Sequence, residues 1–374
     1  MGPAAFPFAA GPFFHVVTLD LIRDPPFVLE SQRISGVKPA MTEGSEMPRA
    51  WHLKSRPSGM PSPDNFELKG IDLPPVGEGQ VQVRNLWLSV DPYMRGRMND
   101  VKSYVPPFQL GEPMDGGAIG EVVESKAEGL KAGDLVQHMG GWRDEAVLPA
   151  RMAQKLPELG APPDQFLGVL GVTGLTAYFG LFDAARAKGG DIVFVSAAAG
   201  AVGSVVVQIA KAKGMTVIGS AGGTKKCDFV RSLGADQVID YKGGPILKGL
   251  ATAAPDGIDV YFDNVGGDHL DAAFAVARNN ARFAICGMIE GYNQREPMAF
   301  RFIQRIIAAR IALKGFIVFD YFPRMAEFYA EMGPWLANGT VKSRETVVEG
   351  LDNALDAFLG LFSGENIGKM LVKL

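Results

Sequence analysis

Cysteine is scarce in this 374-residue chain: Cys227 and Cys286 are the only two. Two isolated thiols exclude a disulfide framework and a cysteine-built metal centre. They fit a reducing compartment, with the cytosol as the expected location. An excess of positive charge is also missing. The formal net charge is -4, whereas a nucleic-acid partner calls for a basic surface that displaces counterions from phosphates. No apolar run approaches the roughly 20 residues of a membrane-spanning helix. What remains is an ordinary globular composition, 47% hydrophobic and 21% charged. The chain is long for one hydrophobic core and comfortable for two domains.

Residues 1–46 stand apart. They carry Pro and Phe clusters (Pro12-Phe13-Phe14, Pro25-Pro26-Phe27) with no helical or strand period. They lack the charged start and apolar centre of a secretory signal and the arginine density of a transit peptide. They read as a poorly ordered extension or the product of an upstream start codon, with Met47 as the alternative start. From Trp51 to about Leu156 short strands alternate with glycine-marked turns: 81–86, 116–123, 135–138 and 142–148. Such a pattern predicts a compact, β-rich, barrel-like domain.

Near Phe166 the rhythm changes. Residues 173–187 are helical in pattern, and Asp191-Ile-Val-Phe-Val-Ser196 is an apolar strand of the kind a sheet buried on both faces requires. Helices at 203–213 and 225–233 then alternate with strands at 216–220, 237–240, 258–263 and 281–286. This is the order of a doubly wound parallel sheet. Residues 315–319 read as one more strand and 324–338 as an amphipathic helix. The terminal Lys369-Met-Leu-Val-Lys-Leu374 is strand-like without a neighbour of its own, so it is expected to return to the first domain's sheet. The expected division is 47–168, 169–320 and a C-terminal return over 321–374.

The strand ending at Ser196 runs through Ala197-Ala-Ala-Gly-Ala-Val-Gly203 directly into a helix. Against the G-x-G-x-x-G fingerprint, positions 198, 200 and 203 read Ala, Gly, Gly. Small residues there, Ala198, Gly200, Ala201, Val202 and Gly203, let the backbone approach a pyrophosphate while the helix N-terminus stabilises its charge. An NAD enzyme places an acid roughly 20 residues further on. Here Thr216-Val-Ile-Gly-Ser-Ala-Gly-Gly-Thr-Lys-Lys226 has none. It offers Ser220, Lys225 and Lys226, which suit the 2′-phosphate of NADPH.

Metal ligands are wanting. A catalytic zinc needs Cys, His and carboxylate groups converging from the first domain, and a structural zinc needs four close cysteines. That domain has no cysteine, and His52 and His138 stand without neighbours at ligand spacing. No Ser-His-Asp or Cys-His spacing points to a nucleophile. Without a metal, a carbonyl is polarised by hydrogen-bond donors, and neutral tyrosine hydroxyls, with a pKa of about 10, serve.

Several motifs then carry a family resemblance: Leu88-Ser-Val-Asp-Pro-Tyr-Met-Arg-Gly-Arg97, Val172-Thr-Gly-Leu-Thr-Ala-Tyr178, Ala198-Ala-Gly-Ala-Val-Gly-Ser204, Tyr261-Phe-Asp-Asn-Val-Gly-Gly267, Gly315-Phe-Ile-Val318 and Gly364-Glu-Asn-Ile-Gly368. From Met47 to Leu374 the chain resembles the medium-chain dehydrogenase/reductase superfamily, in its zinc-free branch of leukotriene/prostaglandin, alkenal and curcumin reductases. The resemblance implies an α/β fold with a GroES-like β-rich catalytic domain and a Rossmann domain. It also implies a homodimer, and reduction by NADPH of the carbon-carbon double bond of α,β-unsaturated ketones and aldehydes. Carried over by position, Lys226 and Tyr241 match residues at the 2′-phosphate, and Asn264 one near the nicotinamide ribose. Phe316, Ile317 and Val318 match the stretch facing the carboxamide, and Asn366 a late cofactor contact. Tyr292 matches the active-site tyrosine, with Tyr93 and Tyr104 on the substrate side. Lys225 stands where relatives commonly have an acid, which would reinforce the choice of NADPH. Two other readings share these features: a quinone reductase, and a non-catalytic NADPH-binding sensor.

Overall fold

A computed structural model describes residues 47–374; the expectation for residues 1–46 lies outside them. The first part opens with an antiparallel pair, β1 (Arg49–Leu53) and β2 (Phe66–Gly70). The spine of the main antiparallel sheet is β3 (Gln80–Ser89), whose Val81 and Val83 are buried while Arg84 faces solvent. This period of two holds one face on a core. A single turn, α1 (Met94–Arg97), follows it. β4 (Ala118–Ser125) and β6 (Glu145–Pro149) pair with β3, while β5 (Leu135–His138) and β7 (Gln154–Lys155) extend the sheet beyond β4.

The second part begins with α2 (Val172–Phe179), which continues into a π turn over Gly180–Ala184. Then come β8 (Ile192–Val195), α3 (Ala201–Ala212), β9 (Thr216–Ala221), α4 (Thr224–Ser232), β10 (Gln237–Asp240) and α5 (Ile246–Ala253). β11 (Ile258–Asp263), α6 (Gly267–Val276), β12 (Ala277–Ile285), α7 (Arg305–Ala308) and β13 (Ala312–Gly315) complete it. The strand order is β10-β9-β8-β11-β12-β13, all parallel. Successive strands step outward in opposite directions from the β8/β11 pair, and the crevice beyond the strand ends at such a switch point is where open α/β sheets bind ligands. Val193, Phe194, Val195, Val260 and Phe262 are fully buried, as helices on both faces of the sheet demand.

The chain ends with α8 (Met325–Ala337), β14 (Glu345–Glu349), α9 (Ala354–Ser363) and β15 (Lys369–Lys373). β15 inserts between β14 and β3, with Leu371 opposite Ser89, so the last strand belongs to the first sheet. α8 packs on the other part, its Phe328 ring 5.9 Å from that of Tyr178. One expectation needs correction: 315–319 is not a strand. The strand is β13, and the chain leaves the sheet after Gly315 into a 3-10 turn at Val318–Arg324. Aromatic packing draws it away, with Phe316 edge-on to Phe262 and Tyr321 stacked on Phe179 at 4.6 Å.

Candidate functional site

A cleft of about 890 Å³ opens at the switch point, walled by both parts of the chain. Its floor is the turn between β8 and α3. Gly200 precedes α3 in an extended conformation, and no side chain caps the helix. Residues 200–203 line the cleft, so the first N–H groups of α3 are available to an anion. Gly203 cannot be enlarged: a Cβ there would lie 2.4 Å from the Ala197 carbonyl oxygen. Ala198, in place of the first fingerprint glycine, is accommodated because Gly219 lies opposite; a Cβ at 219 would come within 2.9 Å of the Ala198 Cβ. The Gly368 N–H donates to Ala199 O at 2.8 Å, which ties this turn to the segment leading into β15.

At the end of β9 the cleft is lined by Gly222, Lys226, Tyr241 and Lys242. Gly222 is needed for close approach, since a Cβ would sit 2.6 Å from the Tyr241 hydroxyl. Neither lysine has an ion-pair partner among the described residues. Burial, and then the charge of Lys242, lowers the Lys226 pKa below its ordinary value. Asp240, the nearby acid, is turned to backbone, accepting from the Gly223 and Lys242 N–H groups. A desolvated cation beside another cation favours an incoming phosphate.

Beyond β11, Asp263 organises the next loop. Its Oδ1 accepts from the Tyr261 hydroxyl at 2.6 Å and from the Val265 and Gly266 N–H groups at 2.9 Å. Burial raises its pKa against these donors. Ser196 Oγ accepts from the Asn264 N–H, and the Asn264 side-chain amide donates to Ser196 O, both at 2.8 Å. Asn264 is thereby held at the cleft wall.

Tyr93, Tyr104 and Tyr292 meet at the other end of the cleft with Cys286 and Phe316. The Tyr292 hydroxyl lies over Gly287, 3.1 Å from where a Cβ would be. Burial pushes the Tyr292 pKa up to about 12, and it drives that of Tyr93 higher still. Tyr104 is 51% exposed, on a loop facing Phe319 at 6.3 Å between ring centres.

Two regions of this chain match known families: residues 49–156 the one described as the N-terminal domain of oxidoreductase, and residues 201–337 that of zinc-binding dehydrogenase. The NADPH-dependent curcumin reductase of Escherichia coli (strain K12) is 41% identical over 340 residues, covering 89% of this chain and 99% of the relative. The NADP(+)-dependent 2-alkenal reductase of Nicotiana tabacum is 40% identical over 327 residues, 86% and 95% of the two chains. The solved structure of CurA from Vibrio vulnificus in complex with NADPH superposes with a TM-score of 0.83 at 42% identity, covering 87% of this chain and 98% of that one. The chain belongs to the medium-chain dehydrogenase/reductase family.

Not every member's zinc site has a counterpart here. Among the described residues no three His, Cys, Asp or Glu side chains converge as ligands. In the cleft, Asp91 is taken by Lys369 and Ser89, and Cys286 is not joined by two further ligand side chains among the described residues. This donor set does not fit a zinc ion.

Of the family positions anticipated from sequence, the cleft gathers Gly200, Ala201, Val202, Gly203, Lys226, Tyr241, Asn264, Phe316, Ile317, Val318, Asn366 and the three tyrosines. Ala198 and Ser220 do not line it; both are fully buried, and Ser220 Oγ has no hydrogen-bond partner among the described residues. Lys225 is exposed and likewise absent from the lining. The sequence reading passed over Asp91 and Lys369. Lys369 Nζ donates to Asp91 Oδ1 at 2.7 Å and Val90 O at 2.8 Å, its side chain only 4% exposed. The pair clasps β15 to the loop before α1. The available signal was a lysine set directly before the apolar run Met370-Leu-Val372 of the terminal strand.

Proposed function

We propose that this chain uses NADPH to reduce the carbon-carbon double bond of α,β-unsaturated ketones and aldehydes without a metal. One observation carries the reading: a single cleft joins an uncapped dinucleotide turn, a lysine pair without an ion-pair partner and three tyrosines, with no set of metal ligands among the described residues. The activities named for the curcumin and alkenal reductases support it. The turn at 200–203 would hold the pyrophosphate, Lys226 and Tyr241 the 2′-phosphate, and Asn264, Asn366 and residues 316–318 the nicotinamide half. When bound, the dihydronicotinamide supplies a hydride to the β-carbon, and charge passes to the carbonyl oxygen as an enolate. The Tyr292 hydroxyl donates a hydrogen bond to that oxygen and keeps its own proton, and a proton from water then goes to the α-carbon to give the saturated product. Tyr93 and Tyr104 wall the acceptor.

The chain acts as a homodimer in the cytosol. Strand β13 is exposed along its whole length at the sheet edge, beside Ile307, which is 82% exposed. An open edge with apolar neighbours is a surface that a second copy covers. No helix among the described residues is long and apolar enough to cross a membrane. The catalytic domain comprises 47–168 together with the C-terminal return. We place that boundary after α8 rather than at residue 321, because α8 packs on α2.

The deciding assay follows NADPH oxidation with enones, enals and quinones and identifies each product by mass. Saturated ketones or aldehydes are expected. Turnover of quinones alone would make the chain a quinone reductase, and tight NADPH binding without turnover of any acceptor would leave a sensor.

A further inference from the structure

Beside the cleft lies a smaller cavity of about 60 Å³ that the reaction above leaves unused. It shares Tyr93 and Tyr104 with the cleft and is lined further by Arg97, Asp115, Arg143 and Phe319. By the same measure one water needs about 10–15 Å³, so the cavity admits a small polar head and not a ring.

Its charges do not cancel. Arg97 is matched: its guanidinium grips Asp115 through two N–H groups, its Nε donates to Pro106 O at 2.9 Å, and it lies 4.0 Å above the Phe108 ring. Arg143 has no carboxylate of its own: Asp115, already gripped by Arg97, acts on it only at a distance. The Arg143 Nε donates to Gly141 O at 3.2 Å and its Nη2 to Met114 O at 2.7 Å, and no carboxylate pairs with it among the described residues. The acids next to it in sequence are engaged elsewhere, Asp144 with Arg49 and Glu145 with Arg84. Neighbouring His138 is held neutral, burial pushing it down to about 3, and adds no charge. The cavity therefore carries one cation in excess, with donors to spare. Burial lowers the Arg143 pKa against the opposing pull of Asp115, and a desolvated guanidinium without a paired anion is costly. Its planar fork matches a carboxylate.

We propose that this annex is an anion subsite in which Arg143 receives a carboxylate carried by the substrate, so that the preferred acceptors are enones or enals with an acidic tail. For the reacting end alone, the proposal rests on the enone-reductase reading. The NADPH-bound protein is titrated, by quenching of NADPH fluorescence, with saturated keto acids of graded chain length and their methyl esters. The matching unsaturated pairs are assayed for turnover. At the best chain length the acid is expected to bind about ten- to a hundredfold tighter than its ester, the usual strength of a hydrogen bond to a charged group. In Arg143→Gln the acid-to-ester ratio falls to about one, and in Arg143→Lys it stays between the two. Taking the ratio within each variant cancels any loss of folded protein, and the wild-type comparison stands even if Arg143→Gln does not fold. Equal binding of acid and ester at every length, or a preference that survives in Arg143→Gln, overturns the subsite. Ester turnover without acid preference overturns the subsite alone. Acid-selective binding with neither unsaturated compound reduced overturns the enone reading and supports the subsite.

Discussion

Tyr292 acts as a neutral donor: burial pushes its hydroxyl up to about 12, so it keeps its proton on the alkaline side where an ordinary tyrosine loses it. A donor aimed at a developing oxyanion is worth about 3 kcal/mol, roughly a hundredfold in rate. Tyr292→Phe should lower kcat by about that factor while leaving the NADPH dissociation constant within about twofold. Steady-state kinetics with parallel fluorescence titration checks this, and unchanged kcat would remove Tyr292 from the reaction. Lys226 works by charge instead. Lys226→Ala should weaken NADPH about ten- to a hundredfold, since charge-assisted hydrogen bonds are the strong ones, and NADH hardly at all. Its pKa is already lowered by burial and by Lys242. The cation is thus present at low and neutral pH and lost on the alkaline side earlier than for an ordinary lysine. The KM for NADPH should rise there, and a flat KM up to the ordinary lysine range, near pH 10.4, would argue against the assignment.

At the scale of elements, the β8–α3 turn concentrates the constraint. Gly203→Val places side-chain atoms against the Ala197 carbonyl, already 2.4 Å from a Cβ. The turn must open, and α3 loses its aim at the cleft. We expect a fall in melting temperature matching about 1–3 kcal/mol of overpacking and loss of measurable NADPH binding in calorimetry. Wild-type affinity in a folded variant would refute the role of this turn. The short 3-10 turn at Val318–Arg324 shows how an element can defeat a sequence pattern. Gly315-Phe-Ile-Val-Phe319 has strand composition, yet Phe316 and Tyr321 find aromatic partners outside the sheet. Local propensity cannot register such distant packing.

Two properties belong to the whole molecule. The first is assembly: charges on the β13 edge, as in Ile307→Lys combined with Leu313→Lys, should give monomers by sedimentation. A dimer unaffected by both would place the interface elsewhere. The second is acid sensitivity. Burial holds two histidines neutral, His138 down to about 3 and His269 to about 4, whereas the unfolded chain protonates them near the ordinary value of about 6.5. Below that value the unfolded state binds more protons. Stability is therefore full above about pH 6.5 and is lost as pH falls toward the folded values, by up to about 1.4 kcal/mol per pH unit for each histidine. Urea midpoints should drop between pH 7 and pH 5, with a shallower slope in His138→Gln; equal slopes would contradict the buried neutral form.

The sequence by itself determined what depends on local order: the β-α alternation, the small residues from 198 to 203, the missing acid before Lys226 and the motif tyrosines. Each is a pattern of neighbours, and neighbours are what a sequence records. Tertiary structure alone decided which of these residues share a surface. It buried Ser220 and left Lys225 outside while bringing Lys226 and Lys242 together. It joined Asp91 to Lys369 across 278 positions, and it set Arg143 beside Tyr93 and Tyr104 in a cavity whose one acid, Asp115, is held by Arg97. Such pairings follow from strand order and packing between distant segments, for which the linear spacing of residues carries no term.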